Sequence, residues 1–273
     1  MKRGKVLVIG ENINASNKSV GQALLNKDRQ FLKDLAKAQS SAGAHFIDIN
    51  IGRGHGWERS EAAMEWLVEL VQEAVDKPLV IDSDVPSILE AALCKYKGNQ
   101  VIVNSVNAEP EKLKTVGHLA VEHKAMVVAL AMGSAGIPSS VDARLASCDV
   151  IMSYLTKHGI KEEQVFFDPL VLPISVDSNQ AEVTLNTIRE IKARYPSAKT
   201  IMGLSNISFG LPQRPLINRS FLLMAAYAGL DAAIMNPLDK KMMSIVHVAE
   251  MLTGKDISCK SYIRAHRKGL LTD

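Results

Sequence analysis

The sequence predicts a single (β/α)8, or TIM, barrel, and two observations carry that prediction. Short β-branched and apolar runs alternate with longer amphipathic segments from one end of the chain to the other. There are eight such runs. Eight strands joined by helices are what a parallel sheet needs to close on itself. The length of 273 residues is also usual for one barrel, although length alone does not decide between one domain and two.

The predicted strands are the apolar runs at 6–9, 46–49, 79–81, 101–103, 127–130, 165–167, 200–202 and 232–235. The predicted helices cover 29–41, 60–74, 87–93, 110–123, 142–158, 182–195, 215–228 and 241–252. Asp28 and Ser60 stand where helix N-caps are expected. Four glycines follow helices at positions that favour a left-handed residue: Gly43, Gly98, Gly159 and Gly229. A doubly wound open sheet is the alternative, because a strand count does not prove closure.

No Pro-, Gly- or Ser-rich linker divides the chain, so we expect one domain over 1–273, with about 255–273 forming a C-terminal tail. That tail is basic and is interpreted as a solvated surface patch, since charge runs are usually exposed. Its charged residues are Lys260, Arg264, His266, Arg267 and Lys268.

Composition limits the kinds of partner. Hydrophobic residues make up 47% of the chain and charged residues 22%, which suits a folded protein with a full core. A net charge of only +3 gives little support for nucleic acid binding. No apolar run approaches the roughly 20 residues of a membrane span or resembles a signal peptide. The cysteines Cys94, Cys148 and Cys259 lack metal-ligand spacing. We therefore expect a cytoplasmic protein with no metal, membrane or nucleic acid partner.

Polar side chains recur at the carboxyl ends of the predicted strands, where barrel enzymes carry their chemistry. Seven of the eight ends bear Asp, Asn or Glu, and only the fifth, Met132-Gly133, does not. Each residue alone is compatible with a turn or a helix cap. Their recurrence predicts a binding surface. The Asp, Asn and Glu members are Glu11, Asn12, Asn14, Asp48, Asn50, Asp82, Asn104, Asn107, Asp168, Asn206 and Asn236, and Ser205 accompanies Asn206.

The chemistry of this ring excludes some functions and favours others. None of the seven histidines falls at a predicted strand end, although His55 lies in the loop after the second strand. The loops after strands seven and eight lack a glycine-rich phosphate turn. A carboxylate can accept two adjacent N–H groups, while an amide donates and accepts at once. A planar heterocycle such as the 2-amino-4-oxopyrimidine edge of a pterin fits this pattern, and a purine fits it similarly.

A series of motifs along the chain then indicates the protein family that the sequence resembles. In chain order they are Ile9-Gly10-Glu11-Asn12-Ile13-Asn14, Asp48-Ile49-Asn50-Ile51-Gly52, Met64-Glu65-Trp66-Leu67-Val68, Ile81-Asp82-Ser83, Asn104-Ser105-Val106-Asn107-Ala108-Glu109, Phe167-Asp168-Pro169-Leu170, Gly203-Leu204-Ser205-Asn206-Ile207-Ser208, Arg214-Pro215-Leu216-Ile217-Asn218-Arg219 and Gly229-Leu230-Asp231-Ala232-Ala233-Ile234. With these motifs the sequence resembles the methyltetrahydrofolate:corrinoid protein methyltransferases. These are relatives of dihydropteroate synthase and of the folate domain of cobalamin-dependent methionine synthase. The resemblance runs from Val8 to about Gly254.

The resemblance implies roles for individual residues. Asp82, Asn104 and Asp168 are expected to hold the pyrimidine edge of the pterin. Asn206 corresponds to the family's asparagine that reaches N5, the nitrogen bearing the methyl group, and is the expected catalytic residue. Four further side chains are expected to line the same mouth: Asp48, Asn50, Ser205 and Asn12. Position 12 varies, since some relatives carry Arg there.

The resemblance also implies an activity. The protein is expected to move a methyl group between N5 of tetrahydrofolate and a corrinoid (cobalamin) cofactor, in a direction that the sequence leaves open. The corrinoid is expected on a separate corrinoid protein, because no Asp-x-His-x-x-Gly pattern occurs here. A homodimer is implied by the family.

Two alternatives stay open. A dihydropteroate synthase-like enzyme is one, although Asn206 and Ile207 follow Ser205 where that family places a basic residue. That family also expects an Arg-x-His with a preceding serine context, which Arg264-Ala265-His266 lacks. The other alternative is a non-catalytic folate-binding module.

Overall fold

Eight parallel strands form a closed barrel in the computed structural model, which describes residues 5–52 and 60–272. Each strand pairs with the next in sequence, and the first pairs with the last. The predicted closed barrel is therefore confirmed, and the open doubly wound sheet is wrong. The strands are β1 (Leu7–Asn14), β2 (Phe46–Asn50), β3 (Leu79–Asp82), β4 (Val101–Val106), β5 (Met126–Leu130), β6 (Val165–Asp168), β7 (Lys199–Gly203) and β8 (Ala232–Met235).

Helices follow the strands around the outside of the barrel. They are α1 (Lys18–Leu25), α2 (Arg29–Ser41), α3 (Glu61–Ala74), α4 (Pro86–Lys95), α5 (Pro110–Lys112), α6 (His118–Glu122), α7 (Val141–Lys157), α8 (Gln180–Arg194), α9 (Arg214–Ala228), α10 (Lys240–Leu252) and α11 (Lys260–Arg267). A π-helical turn, Leu113–Gly117, joins α5 to α6, so the predicted helix 110–123 has three parts. Helix α1 was not predicted. None of the helices in the described part of the chain is long and apolar enough to span a membrane.

The predicted helix caps are mostly confirmed. Asp28 accepts a hydrogen bond from the Phe31 N–H at 3.0 Å, and Ser60 caps α3 in the same way. Gly43, Gly159 and Gly229 take positive φ values, but Gly98 does not. A Cβ on Gly98 would lie 2.1 Å from the Tyr96 hydroxyl. That glycine is therefore explained by a close side-chain contact, and the prediction of a left-handed residue there is wrong.

The barrel interior fixes which way each strand's side chains point. A buried cluster fills the centre, with one residue from each strand: Ile9, Phe46, Val80, Ile102, Val128, Phe166, Ile201 and Ala232. Side chains alternate along a regular strand, so Asp82, Asn104 and Asp168, two positions beyond these residues, also face inward, as does Asn50 four positions beyond Phe46. The register shifts in β1 between Gly10 and Ile13 and in β4 after Asn104. Larger apolar clusters pack the outer strand faces against the helices and hold the strand ends in place.

The C-terminal segment folds back onto the barrel. Asp256 accepts hydrogen bonds at 2.9 Å from the N–H groups of Ser261 and Tyr262, and α11 packs against α10. The Thr272 N–H donates to Ser244 Oγ at 2.7 Å. The predicted tail thus contains a helix. Its basic side chains are nevertheless exposed, which agrees with the predicted solvated patch. They are Lys260, Arg264, His266, Arg267 and Lys268.

Candidate functional site

Three polar residues form a row across neighbouring strand ends. The sheet register pairs Asn50 with Asp82 and Asp82 with Asn104. All three lie at inward-facing positions, two or four residues beyond the interior cluster. The Asn50 Nδ2 donates to Asp82 Oδ2 at 2.6 Å, which orients the carboxylate. The sequence-predicted residues Asn50, Asp82 and Asn104 are therefore brought together in one half-buried row.

Asp168 lies further around the barrel mouth, at the end of β6. Its Oδ1 accepts a hydrogen bond from the Leu170 N–H at 2.8 Å. Arg144, which is fully buried, donates to the carbonyls of Pro169 and Leu170 at 2.8 and 2.9 Å and so holds this loop. Burial raises the pKa of Asp168 to about 7, while the Leu170 N–H and the Arg144 charge act in the opposite direction. Asp168 can therefore exchange a proton near neutral pH.

Asp48 lies beneath the row, two residues before Asn50 on β2. It is buried, and its Oδ2 has no hydrogen-bond partner among the described residues. Burial raises its pKa well above the usual range, and the nearby carboxylates Asp82 and Glu11 raise it further. The Asn104 side chain opposes this effect. Asp48 therefore holds a proton more strongly than an ordinary aspartate, and in its protonated form it can donate a hydrogen bond beneath the row.

Asn206 occupies a different kind of position. It lies in a 3₁₀ turn, Leu204–Ser208, directly after β7, and its side chain is exposed. A Cβ on Gly203 would come 3.4 Å from Asn206 Nδ2, so the amide lies close to the end of the strand. Arg214 holds the turn by donating to the Ser205 carbonyl at 2.9 Å and to Ser208 Oγ at 3.1 Å.

The end of β1 is supported by a residue that the sequence did not single out. Gln39 of α2 is fully buried, and its Oε1 accepts the Asn12 N–H at 3.0 Å. A Cβ on Gly10 would lie 2.4 Å from that oxygen, so glycine is needed there. Asn12 itself is half-buried, and its Oδ1 has no partner among the described residues. Gln39 therefore sets the backbone that carries Glu11 and Asn12.

Comparison with known proteins identifies the family to which this mouth belongs. A family model described as pterin binding enzyme matches residues 10–236, which is most of the chain. The chain belongs to this family. The methylcorrinoid:tetrahydrofolate methyltransferase of Eubacterium limosum is 34% identical over 268 residues and is matched along 97% of each chain. The methionine synthase of Mycobacterium leprae is 32% identical over 263 residues, which are 91% of this chain and 21% of that protein. The resemblance predicted from the motifs is confirmed.

Solved structures of dihydropteroate synthases share the fold of this pterin binding enzyme. The Coxiella burnetii enzyme in complex with pteroic acid has a TM-score of 0.68 at 13% identity and covers 92% of this chain and 94% of that one. The Yersinia pestis enzyme with a pterine-sulfa conjugate has a TM-score of 0.64 at 16% identity, covering 93% and 95%. At such identities the likeness shows a common barrel.

Some members of the predicted ring serve turns in this pterin binding enzyme. The side chains of Asn14, Asn107 and Asn236 each accept the N–H of the residue two positions ahead. Each thereby closes a local turn, which is the alternative role that the sequence allowed for each of these residues. His55 lies outside the described residues.

Cavities of different size lie at the two ends of the barrel. Among residues 5–52 and 60–272, no group of three His, Cys, Asp or Glu side chains is placed to hold a metal ion. A cavity of about 900 Å³ lies at the end opposite the mouth, before β3 and β4, and its lining includes Glu73, Lys77 and Tyr96. A smaller cavity of about 170 Å³ lies at the mouth, between Glu11 and Ser205.

Proposed function

We propose that this pterin binding enzyme transfers a methyl group between N5 of tetrahydrofolate and the corrinoid of a separate corrinoid protein. The observation that carries the proposal is the row of Asn50, Asp82 and Asn104, with Asp168 further along the same mouth. The Eubacterium limosum relative, named for this reaction, matches the chain from end to end. The dihydropteroate synthases share only the barrel, so they do not favour the synthase alternative.

In this proposal the pterin edge lies along the row. Asp82 and Asp168 accept the N–H groups of the 2-aminopyrimidine ring, and Asn104 pairs with a neighbouring nitrogen or carbonyl. Asn50 keeps Asp82 in orientation through its 2.6 Å hydrogen bond. The supporting side chains are Asp48 beneath the row and Asn12 and Ser205 at its edge.

Asn206 acts at N5. An amine nitrogen is a poor leaving group, so the departing methyl group requires a hydrogen bond or a proton at N5 as the C–N bond breaks. The Asn206 amide can donate a hydrogen bond that strengthens as charge develops on N5. Such differential binding lowers the free energy of the enzyme-bound transition state relative to that of the substrate complex. In the reverse direction the same contact orients the N5 lone pair.

The corrinoid enters as the second substrate. Its cob(I) form is a strong nucleophile, and two large substrates must meet in line above the pterin. The exposed Asn206 lies at the surface of the polar mouth, where such an approach can reach it. We extend the proposal to a homodimer that works in the cytoplasm. Light scattering of the purified protein tests the first extension, and fractionation of the source cells tests the second.

The direct experiment mixes the protein with 5-methyltetrahydrofolate and cob(I)alamin and follows the corrinoid absorbance. We expect formation of methylcob(III)alamin, and the reverse reaction when tetrahydrofolate and methylcob(III)alamin are supplied. Failure in both directions would overturn the proposal. Binding of 5-methyltetrahydrofolate without either reaction would favour the non-catalytic module, and incorporation of p-aminobenzoate would favour the synthase.

A further inference from the structure

One carboxyl group at the mouth has no part in the roles described so far. Glu11 stands near the end of β1 and lines a small cavity at the barrel mouth. Burial raises its pKa from 4.5 to about 7, and the charge of Arg214 opposes that rise. Glu11 can therefore take up or release a proton at neutral pH, which an ordinary glutamate does not do.

A small cavity connects Glu11 to the turn that carries Asn206. The cavity has a volume of about 170 Å³ and is lined by Glu11, Ser205, Asn218 and Asn236, among others. Since one water molecule occupies about 30 Å³ in the liquid, there is room for several. Leu204 and Ser205 also line the cavity and belong to the same 3₁₀ turn as Asn206, so the cavity lies beside the turn that carries the residue proposed to reach N5.

A second observation indicates that this cavity takes a hydrogen-bonding occupant. The Oδ1 of Asn218 is buried and has no hydrogen-bond partner among the described residues. A buried acceptor without a donor is energetically unfavourable. Asn218 lines the same cavity as Glu11. Either a protonated Glu11 or water in the cavity would supply the missing donor.

The charged neighbours of Glu11 come from three other elements. Arg214 of α9 lies near it and also holds the Asn206 turn. Asp48 of β2 lies near enough that the Glu11 charge raises the pKa of Asp48. Asp239, the N-cap of α10, also lines the cavity, but its carboxylate is paired with Arg219 at 2.9 and 3.1 Å. Among residues 5–52 and 60–272, Glu11 is therefore the carboxyl group of the cavity lining that has no ion-pair partner.

We propose that Glu11 is the proton relay for N5, exchanging its proton with the pterin through the cavity beside the Asn206 turn. The inference rests on the proposed methyl transfer and names the proton source that this reaction requires. Glu11 acts through the cavity and not by direct contact, so it is a positioning and proton-supplying residue.

The step balances in both directions. From methyltetrahydrofolate, the Glu11 proton passes to N5, the C–N5 bond breaks with its electron pair left on nitrogen, and the methyl carbon bonds to the electron pair of cob(I). The products are tetrahydrofolate and methylcob(III), and Glu11 regains a proton from solvent. In the reverse direction the N5 lone pair takes the methyl group, the carbon–cobalt pair returns to cobalt, and the N5 proton passes to the Glu11 carboxylate.

The test compares wild type with E11Q, which keeps the shape of a neutral carboxyl group but cannot exchange a proton. We expect the single-turnover rate of E11Q to be at least tenfold lower, because loss of acid–base catalysis typically slows a reaction by that much or more. The affinity of E11Q for 5-methyltetrahydrofolate should change less than twofold. In wild type, transfer to cob(I) slows as pH rises through about 7, and transfer from methylcob(III) slows as pH falls through about 7. The part of each pH dependence that comes from Glu11 should vanish in E11Q, whereas the part that comes from Asp168, whose pKa is also about 7, should remain. E11D should restore part of the rate.

E109Q is the matched control, because Glu109 is another carboxylate at the strand-end rim and hydrogen-bonds within the Asn107 turn. It should keep the wild-type rate and pH profile. Infrared difference titration of wild type against E11Q gives a readout independent of activity, and we expect a carboxyl band that disappears between pH 6 and 8. A wild-type rate and pH profile in E11Q would overturn the inference, as would a uniform loss at every pH. An inactive wild type with the expected titration would instead overturn the proposed function.

Discussion

The two sides of the barrel mouth are built differently. From β2 to β6, the polar side chains are part of the strands themselves, and their spacing is fixed by sheet register and by the core beneath them. From β7 around to β1, Asn206 lies on an exposed turn outside the sheet, and a cavity separates that turn from Glu11. The first side suits recognition of a rigid heterocycle. The second leaves room for a reacting nitrogen, a proton path and a second large substrate.

Among the variants that test this difference between the two sides of the mouth, N206A should have the largest effect. Removing one donor that strengthens in the transition state typically lowers turnover by about 10²–10³-fold. Because the row on β2 to β6 remains intact, the Kd for 5-methyltetrahydrofolate should change by less than about threefold, which one weak hydrogen bond allows. Stopped-flow absorbance and calorimetry measure the two quantities. Equal losses in rate and affinity would contradict the separation of the two sides.

D168N should have the converse effect, on the recognition side. The amide keeps an oxygen for the Leu170 N–H, but it cannot accept two N–H groups from the pterin. A charge-assisted hydrogen bond contributes about 2 kcal/mol, so we expect about 30-fold weaker folate binding. The rate at saturating folate should fall much less. A fall in kcat with an unchanged Kd would contradict the role of Asp168 in folate binding.

The same variant tests the raised pKa of Asp168, which is about 7. The folded protein holds the proton more tightly than the unfolded chain, so ionising Asp168 destabilises the fold as pH rises from about 4 to about 7. D168N lacks this dependence. Its free energy of unfolding should therefore exceed that of wild type at pH 8, with a gap that shrinks toward pH 5. Urea titrations at several pH values measure it, and a gap that is constant with pH would contradict the assignment.

Much of the recognition side could be predicted from the sequence, because strand periodicity is a local property. Buried strand residues alternate, so Asp82, Asn104 and Asp168 follow inward-facing positions by two residues. Helix α1 also carried a signal, with buried Val20, Ala23 and Leu24 at helical spacing, but its glycine and its shortness concealed it. At Gly98 the prediction failed in the opposite way. A glycine after a helix is typical of a left-handed cap, but this glycine is explained by its close contact with the Tyr96 side chain.

The supporting residues could not be predicted, because their partners are backbone groups of distant segments. Arg144 looks like an ordinary helix residue, yet it holds carbonyls of a loop 25 and 26 residues away. Gln39 accepts the N–H of Asn12 across 27 residues. Glu11 had a usable signal, its place among the polar residues at the strand ends, but its raised pKa depends on burial that only the assembled barrel provides.

The smallest effect separates two functions of Arg214, which holds the Asn206 turn and lowers the pKa of Glu11. R214M removes both, whereas R214K keeps the charge and loses the paired hydrogen bonds. Loss of about 1 kcal/mol of hydrogen bonding should slow both variants about fivefold. Only R214M should shift the pH dependence, because Glu11 without the neighbouring cation keeps its proton to higher pH. Transfer to cob(I) would then persist into more alkaline solution. An identical shift in R214K would mean that the geometry of the turn, and not the charge, sets the acidity of Glu11.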